Sequence, residues 1–378
     1  MPNKNLTIGF VRRGFSASGG AEAYLQRLAQ GVVARGHEAR LFTTTDWPEK
    51  EWSFGQITRL RGTSPIGFAN ELEKLRWQVR CDVLMSLERV WSCDVYRAGD
   101  GVHRAWLDRR KKFEPPLQRI FRRFNRKHEG LLRLERSLLE ERKAERVIVN
   151  SQMVKEEIFD LYCYRPDMID VVPNGVPIDQ FGFDPERRAN SRSNLGLQVD
   201  EIAALFVGSG WERKGLRFAI EAVESLGNPK MRLLVVGRGP QDHYKSTRVQ
   251  YLEEMTDLRL IYAAADIFIL PTIYDPFSNA CLEALAAGLP VITTRDNGFS
   301  EIMEDRIHGV VVDRANNVVD LRNALEIWSD ATRRSAARPN ILKRASQFDI
   351  SRNIEKTLEI LSQVATSAAS TSGKMRNT

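Results

Sequence analysis

IAALFVGSGWERKGLRFAIEAVESL, residues 202–226, is the stretch whose reading decides the fold. A short apolar run of strand length breaks at a glycine-bearing loop, and apolar residues at helix spacing follow. KMRLLVVGRGP, residues 230–240, then supplies a second apolar run. The chain opens with the same grammar. LTIGFV (6–11) leads into SASGGAEAYLQRLAQGVVARG (16–36), where Ala21, Leu25, Leu28 and Val32 fall at helix spacing. Gly36 ends that helix, and HEARLFTTT (37–45) is the next strand. Two strand–loop–helix–strand openings in one chain predict two Rossmann-like α/β domains.

A chain of 378 residues is too long for one ordinary core. VVPNGVPIDQFGFDPERRANSRSNLGL, residues 171–197, is rich in Pro, Gly, Asn and Asp and reads as the interdomain linker, with the boundary near Pro173. The expected organisation is a first domain over 1–172 and a second over 173–348. A last helix over 349–364 is expected to return to the first domain. The Ser/Thr/Ala-rich stretch 365–378 is expected to be a disordered tail. Within the second domain ADIFILPT (265–272) reads as a buried strand and residues 278–287 as a helix stopped by Gly288 and Pro290.

Composition narrows the class. With 42% hydrophobic and 28% charged residues the chain is globular, neither disordered nor collagen-like. No apolar run nears the eighteen or so residues of a membrane-spanning helix, and residues 1–7 carry no apolar signal core. The expected location is therefore the cytoplasm. Cys81, Cys93, Cys163 and Cys281 stand singly, which fits reduced thiols better than a disulfide frame or zinc site. The formal net charge of +7 calls for an anionic partner: nucleic acid, a membrane or a phosphorylated substrate.

Five stretches carry chemistry. In YDPFSNACLEALAAGLPVI (274–292), Asp275 lies in a loop after a strand and Glu283 lies inside an apolar helix. Eight residues are too many for a helix pair, so the two carboxylates should serve different ligand atoms; each can accept from two hydroxyls, as on a ribose or sugar ring. In GSGWERKG (208–215), Arg213 and Lys214 read as a diphosphate receptor at a helix start, although such a pair alone is usually just a solvated helix start. Gly19 and Gly20 would let an anion approach the backbone, although a double glycine is more often only a tight turn. In DVYRAGDGVHRAW (94–106), Asp100 sits between two glycines with His103 close by. It could orient or deprotonate an acceptor hydroxyl, or simply stabilise a turn. Finally, residues 115–146 place Leu117, Ile120, Phe121 and Phe124 at helix spacing, with Arg119, Arg122, Arg123, Arg126 and Lys127 largely off that stripe. This reads equally as an interfacial membrane helix or as a surface helix packed on the core. His243 and His308 read as surface or loop residues.

Other chemistries find no footing. The chain has no H-E-x-x-H, no G-x-x-x-x-G-K-[ST], no G-x-S-x-G and no D-x-D. GGAEAYLQRLAQGVVARGHEARLFT, VIVNSQMVKEEI, VVPNGV, FVGSGWERKGLRFAIEAV, VVGRGP and ADIFILPTIYDPFSNACLEALAAGLPVITT together resemble the family 4 retaining glycosyltransferases of GT-B fold. The last stretch is the most specific: it carries that family's E-x7-E signature with Asp275 in place of the first Glu. Within the family the chain most resembles the enzymes that add α-glucose to heptose of the lipopolysaccharide core.

The resemblance implies two Rossmann-like domains facing a cleft and transfer of a hexose, glucose first among them, from a UDP-sugar to a lipopolysaccharide-core or related glycolipid. Glu283 would hold the ribose and Asp275 would touch donor-sugar hydroxyls. Arg213 and Lys214 would neutralise the departing diphosphate in place of a metal, so no cofactor is expected. Backbone amides around Phe277 and Ser278, and the Gly19–Gly20 loop, would help. Asp100 would lie beside the acceptor hydroxyl, and residues 115–146 would meet an anionic membrane on the inner face of the cytoplasmic membrane. The shorter Asp275 and the short stretch between residues 235 and 254 are departures from the family pattern. A sugar-nucleotide epimerase or phosphorylase of the same fold, or a silent sugar-nucleotide- or membrane-binding protein, are the alternatives. Nucleic acid is not an expected partner, because the basic residues concentrate in one helical region and no nucleic-acid module is visible.

Overall fold

The computed structural model describes residues 5–15, 20–114, 126–252 and 257–375. The chain divides into two compact units, residues 1–173 with 351–378, and residues 174–350. Each is built on one parallel sheet.

In the first unit the strands are β1 (Thr7–Val11), β2 (Glu38–Thr44), β3 (Gly55–Leu60), β4 (Val83–Ser86), β5 (Cys93–Arg97), β6 (Ala144–Val149) and β7 (Ile169–Val171). Their order across the sheet is β3-β2-β1-β4-β5-β6-β7. Ile8, Phe10, Leu41, Phe42, Leu84, Val95 and Ile148 are buried, because a parallel sheet is covered on both faces and its strands read as continuous apolar runs. The helix Ile350–Met375 packs into this unit; Asn353 Nδ2 donates to the Pro173 carbonyl at 2.5 Å and Leu358, Leu361 and Val364 are buried. It runs through most of the stretch expected to be a disordered tail. Residues 365–372 contain three alanines and no proline, so nothing in them stops a helix already anchored by its apolar face.

In the second unit β8 (Ile202–Val207), β9 (Met231–Val236), β10 (Val249–Leu252), β11 (Ile267–Leu270), β12 (Val291–Thr294) and β13 (Gly309–Val312) lie in the order β10-β9-β8-β11-β12-β13. That is the 3-2-1-4-5-6 order of dinucleotide-binding sheets, with the chain reversing its direction of winding between β8 and β11. The division at Pro173 falls where it was expected, but the stretch read as a linker is mostly part of this unit. It holds the helices Ile178–Phe181 and Pro185–Asn194, and the Asp184 carboxylate accepts from the Glu186 and Arg187 amides at 2.9 and 3.1 Å. The Asp and Pro that suggested a linker are an N-cap and a first-turn proline.

Of the basic segment, residues 115–125 fall outside the described residues, Arg119, Arg122 and Arg123 among them. The helix Arg126–Leu139 that follows buries Leu134, Leu138 and Leu139, and β6 begins at Ala144. This described part is therefore a surface helix with its apolar face on the core. No described helix is long and apolar enough to cross a membrane.

Candidate active site

In open α/β sheets ligands collect beyond the carboxyl ends of the strands where the winding reverses. In the second unit that point lies between β8 and β11, and the loops leaving these two strands carry Arg213, Lys214, Asp275, Phe277 and Ser278. They are stitched together. Ile273 N and Thr272 Oγ1 both donate to the Arg213 carbonyl, at 2.8 and 2.9 Å. Gly215 makes the stitch possible: its φ is +78°, and a Cβ there would lie 1.9 Å from the Pro271 carbonyl oxygen. Arg213 and Lys214 close the one-turn helix Trp211–Lys214 rather than opening the longer helix Leu216–Leu226, because left-handed Gly215 separates the two.

Lys214 Nζ lies 2.7 Å from Asp275 Oδ2. Arg213 Nη1 donates to the Tyr274 carbonyl at 2.9 Å and stands 3.8 Å from the same carboxylate oxygen. Asp275 is only 5% exposed. Burial opposes its charge, yet Lys214, Arg213 and the Phe277 amide hold the carboxyl below its usual range. The two amides expected to face a phosphate are thus already engaged. Phe277 N–H points at Asp275, and Ser278 N–H donates to Asn297 Oδ1 at 3.2 Å.

Asn297 was not singled out from the sequence. It is fully buried, accepts from Phe299 N (3.1 Å) as well as from Ser278 N, and donates to Thr293 Oγ1 at 3.0 Å. Asp275 N donates to the Asp296 carbonyl and Gly298 N to the Asp275 carbonyl, both at 2.9 Å. The Asn-Gly pair in DNGFS was the available signal, since Asn before Gly marks a tight turn.

Glu283 projects from the helix Asn279–Ala286, whose N-cap is Ser278. Its Oε2 accepts from Tyr262 Oη at 2.9 Å. Tyr262 is buried on the helix Leu258–Ala264; burial and then the neighbouring Glu283 charge push its hydroxyl well above its usual range, so it stays a donor. A buried tyrosine needs a partner for its hydroxyl, and that was the only hint in LRLIYAAAD. The same hydroxyl also reaches the Ala280 carbonyl at 3.2 Å, and Tyr262→Phe removes both contacts while filling the same space. We expect a loss of about 1 kcal/mol of stability, a slightly lower melting temperature, and a severalfold weaker nucleotide Kd as Glu283 loses its orientation. An unchanged Kd by calorimetry would show that Tyr262 does not orient Glu283.

In the first unit the winding reverses between β1 and β4. Arg12, just after β1, binds Glu22 Oε1 through Nη2 at 3.1 Å and Glu88 Oε1 through Nη1 at 2.9 Å. Asp100 is exposed in the turn after β5, where Gly101 N donates to the Ala98 carbonyl and Gly101 has φ +70°. Burial first, and the Asp100 charge in addition, raise the Glu88 carboxyl against the opposing pull of Arg12. The Asp100 turn is anchored from behind: Arg89 Nη2 donates to the Gly101 carbonyl at 2.6 Å and Asn150 Nδ2 to the Gly99 carbonyl at 3.1 Å. Arg89 in turn pairs with buried Glu135 at 2.8 Å. Gly20 is the first residue of the helix Gly20–Ala34, and Gly19 lies outside the described residues. Neither Glu88 nor Glu135 stood out in the sequence. His308 lies in the loop just before β13 and is buried there, with Nδ1 accepting from Glu304 N at 2.9 Å.

Two doubly wound parallel sheets are the architecture of GT-B proteins, and the comparisons with known proteins make this chain a glycosyltransferase of that type. The Glycosyltransferase Family 4 profile matches residues 18–180, and the Glycosyl transferases group 1 profile matches residues 201–329. The chain belongs to the family 4 glycosyltransferases. It is 24% identical over 326 residues to the lipopolysaccharide glucosyltransferase WaaG of Escherichia coli (strain K12), covering 81% of this chain and 85% of that one. With an uncharacterized glycosyltransferase of Methanocaldococcus jannaschii it shares 30% identity over 180 residues, which span 44% of this chain but under half, 46%, of that relative. The fold matches a crystal structure of WaaG with a TM-score of 0.79 at 22% identity, covering 94% and 99% of the two chains. It also matches Anabaena HepE, crystallised with UDP and glucose, with a TM-score of 0.74 at 20% identity, covering 95% and 100%.

Proposed function

We propose that the protein is a retaining glycosyltransferase that moves glucose from UDP-glucose to a lipopolysaccharide-core or related glycolipid, working at the inner face of the cytoplasmic membrane. The observation that carries this reading is the placement of Arg213 and Lys214 on one side of the second sheet's switch point and Glu283 on the other, with Tyr262 orienting Glu283. Glu283 would accept from the ribose hydroxyls. The two cations would gather negative charge as the diphosphate leaves, so that no metal is needed. Interactions with the leaving group grow as the glycosidic bond breaks, which is where binding lowers a barrier. In the first unit Asp100, with Glu88 behind it, would orient the acceptor hydroxyl, and the departing phosphate would take that hydroxyl's proton on the face it leaves. The UDP and glucose found with HepE and the glucosyltransferase activity named for WaaG support the choice of donor. The net charge of +7 favours a phosphorylated acceptor held at an anionic surface.

The test is UDP release from a panel of UDP- and GDP-sugars, with and without lipopolysaccharide core. Acceptor-dependent release from UDP-glucose is the expected result. Release that ignores the acceptor, or none from any donor, would overturn the reading.

A further inference from the structure

We infer that Asp275 is a resident counter-ion inside the diphosphate receptor, tuning how tightly nucleotide is held rather than gripping the donor sugar; the inference rests on the donor-site reading above. The groups assigned to the diphosphate are Lys214, Arg213 and the amide of Phe277. All three converge on one carboxylate, at 2.7 Å from the lysine and 3.8 Å from the arginine. The arrangement is built rather than incidental. Lys214 is itself only 12% exposed and lies across Gly208, where a Cβ would come within 3.2 Å of its Cε. The Asp275 backbone is pinned on both sides, by the Asp296 carbonyl and by the Gly298 amide.

Two consequences follow from the charges. Without an anion, two neighbouring cations would repel each other in a poorly hydrated pocket, and the carboxylate keeps both in place. When a diphosphate arrives, it must share these donors with a negative charge already there. The carboxylate therefore weakens every ligand that carries the diphosphate, with or without a sugar, and hastens the departure of UDP after transfer. A group that bound sugar hydroxyls would act only on ligands that have a sugar.

That difference sets the experiment: calorimetric affinities of the full chain for UDP, inorganic pyrophosphate and UDP-glucose, in wild type, Asp275→Asn and Asp275→Glu. We expect Asp275→Asn to bind UDP and pyrophosphate about tenfold more tightly, from removal of one charge a few ångströms from the phosphates. Asp275→Glu, which keeps the charge, should stay close to wild type. Should Asn leave the loop too loose to study at rest, its melting temperature must rise more with pyrophosphate than that of wild type. Unchanged or weaker UDP and pyrophosphate binding in Asp275→Asn, with UDP-glucose weakened, would overturn the inference and return Asp275 to the sugar. Wild type that binds UDP but never releases it in an acceptor-dependent way would sink the functional reading alone. Wild type that binds neither UDP nor pyrophosphate would sink both.

Discussion

Lys214→Ala should lower acceptor-dependent UDP release by roughly a hundred- to a thousandfold, mostly in kcat, the range seen when one preorganised donor to a developing charge is removed. The lysine is placed for the task proposed above. Its ammonium is 2.7 Å from Asp275, it is 12% exposed, and its stem lies across Gly208. An ammonium in so poorly hydrated a place needs no reorganisation when the phosphate takes on charge. The substitution also leaves Asp275 buried with Arg213 as its remaining cation, 3.8 Å away, so a carboxylate stands only partly compensated where the leaving group would settle. Arg213→Ala should cost less, because that side chain is 35% exposed and spends one donor on the Tyr274 carbonyl. Lys214→Arg should not restore activity, since the wider guanidinium does not fit the space above Gly208. The measurement is steady-state UDP release with saturating donor and acceptor, beside a melting curve for each variant. A loss below tenfold in Lys214→Ala with the fold intact would show that the leaving group is stabilised elsewhere.

The two Rossmann-like halves were legible because their signals are local. IAALFV, the loop GSGWERKG and the following helix are contiguous, and each reads by period and by punctuation. Arg213, Lys214, Asp275 and Glu283 could be singled out for the same reason: each lies just after a strand or in the first turns of the helix behind it. The residues that hold them in place were not legible. Tyr262 meets Glu283 only because the Leu258–Ala264 and Asn279–Ala286 helices lie together, and Asn297 reaches Ser278 only through the parallel pairing of β11 with β12. Such contacts follow from register, which one sequence does not print. The stretch over 171–197 was half legible: the chain does divide at Pro173, where the boundary was expected, but Asp184 and Pro185 open a helix of the second unit rather than continue a linker. Tertiary anchoring likewise decided the C-terminal helix, where composition alone suggested disorder.

Glu135 offers the largest expected change in stability, and its case turns on charge rather than packing. It is fully buried on the helix Arg126–Leu139. Its carboxylate pairs with Arg89 at 2.8 Å and accepts from Tyr162 Oη at 2.7 Å and from the His103 and Arg104 amides at 2.6 and 3.1 Å. The last two open the helix His103–Lys111, so one side chain serves as cap, counter-ion and anchor for the turn that carries Asp100. Glu135→Ala leaves Arg89 buried without its carboxylate and three other donors without their acceptor. The expected cost is about 3–5 kcal/mol of unfolding free energy in the first unit. Glu135→Gln should recover only part of it, because the amide keeps an acceptor but not the charge. Burial works to raise this carboxyl, and Arg89, Tyr162 and the two amides outweigh it, so the folded value lies below the unfolded one. The sign follows: the contribution is fully present above the unfolded value of about 4.3 and is lost as pH falls through the lower folded value. Urea unfolding of wild type and Glu135→Gln between pH 7 and pH 3 checks both claims, followed by hydrogen exchange at the His103 and Arg104 amides. The gap between the two proteins should close as the pH drops. A gap that stayed constant to pH 3 would mean that Glu135 acts by shape alone, and that the Asp100 turn is held without its charge.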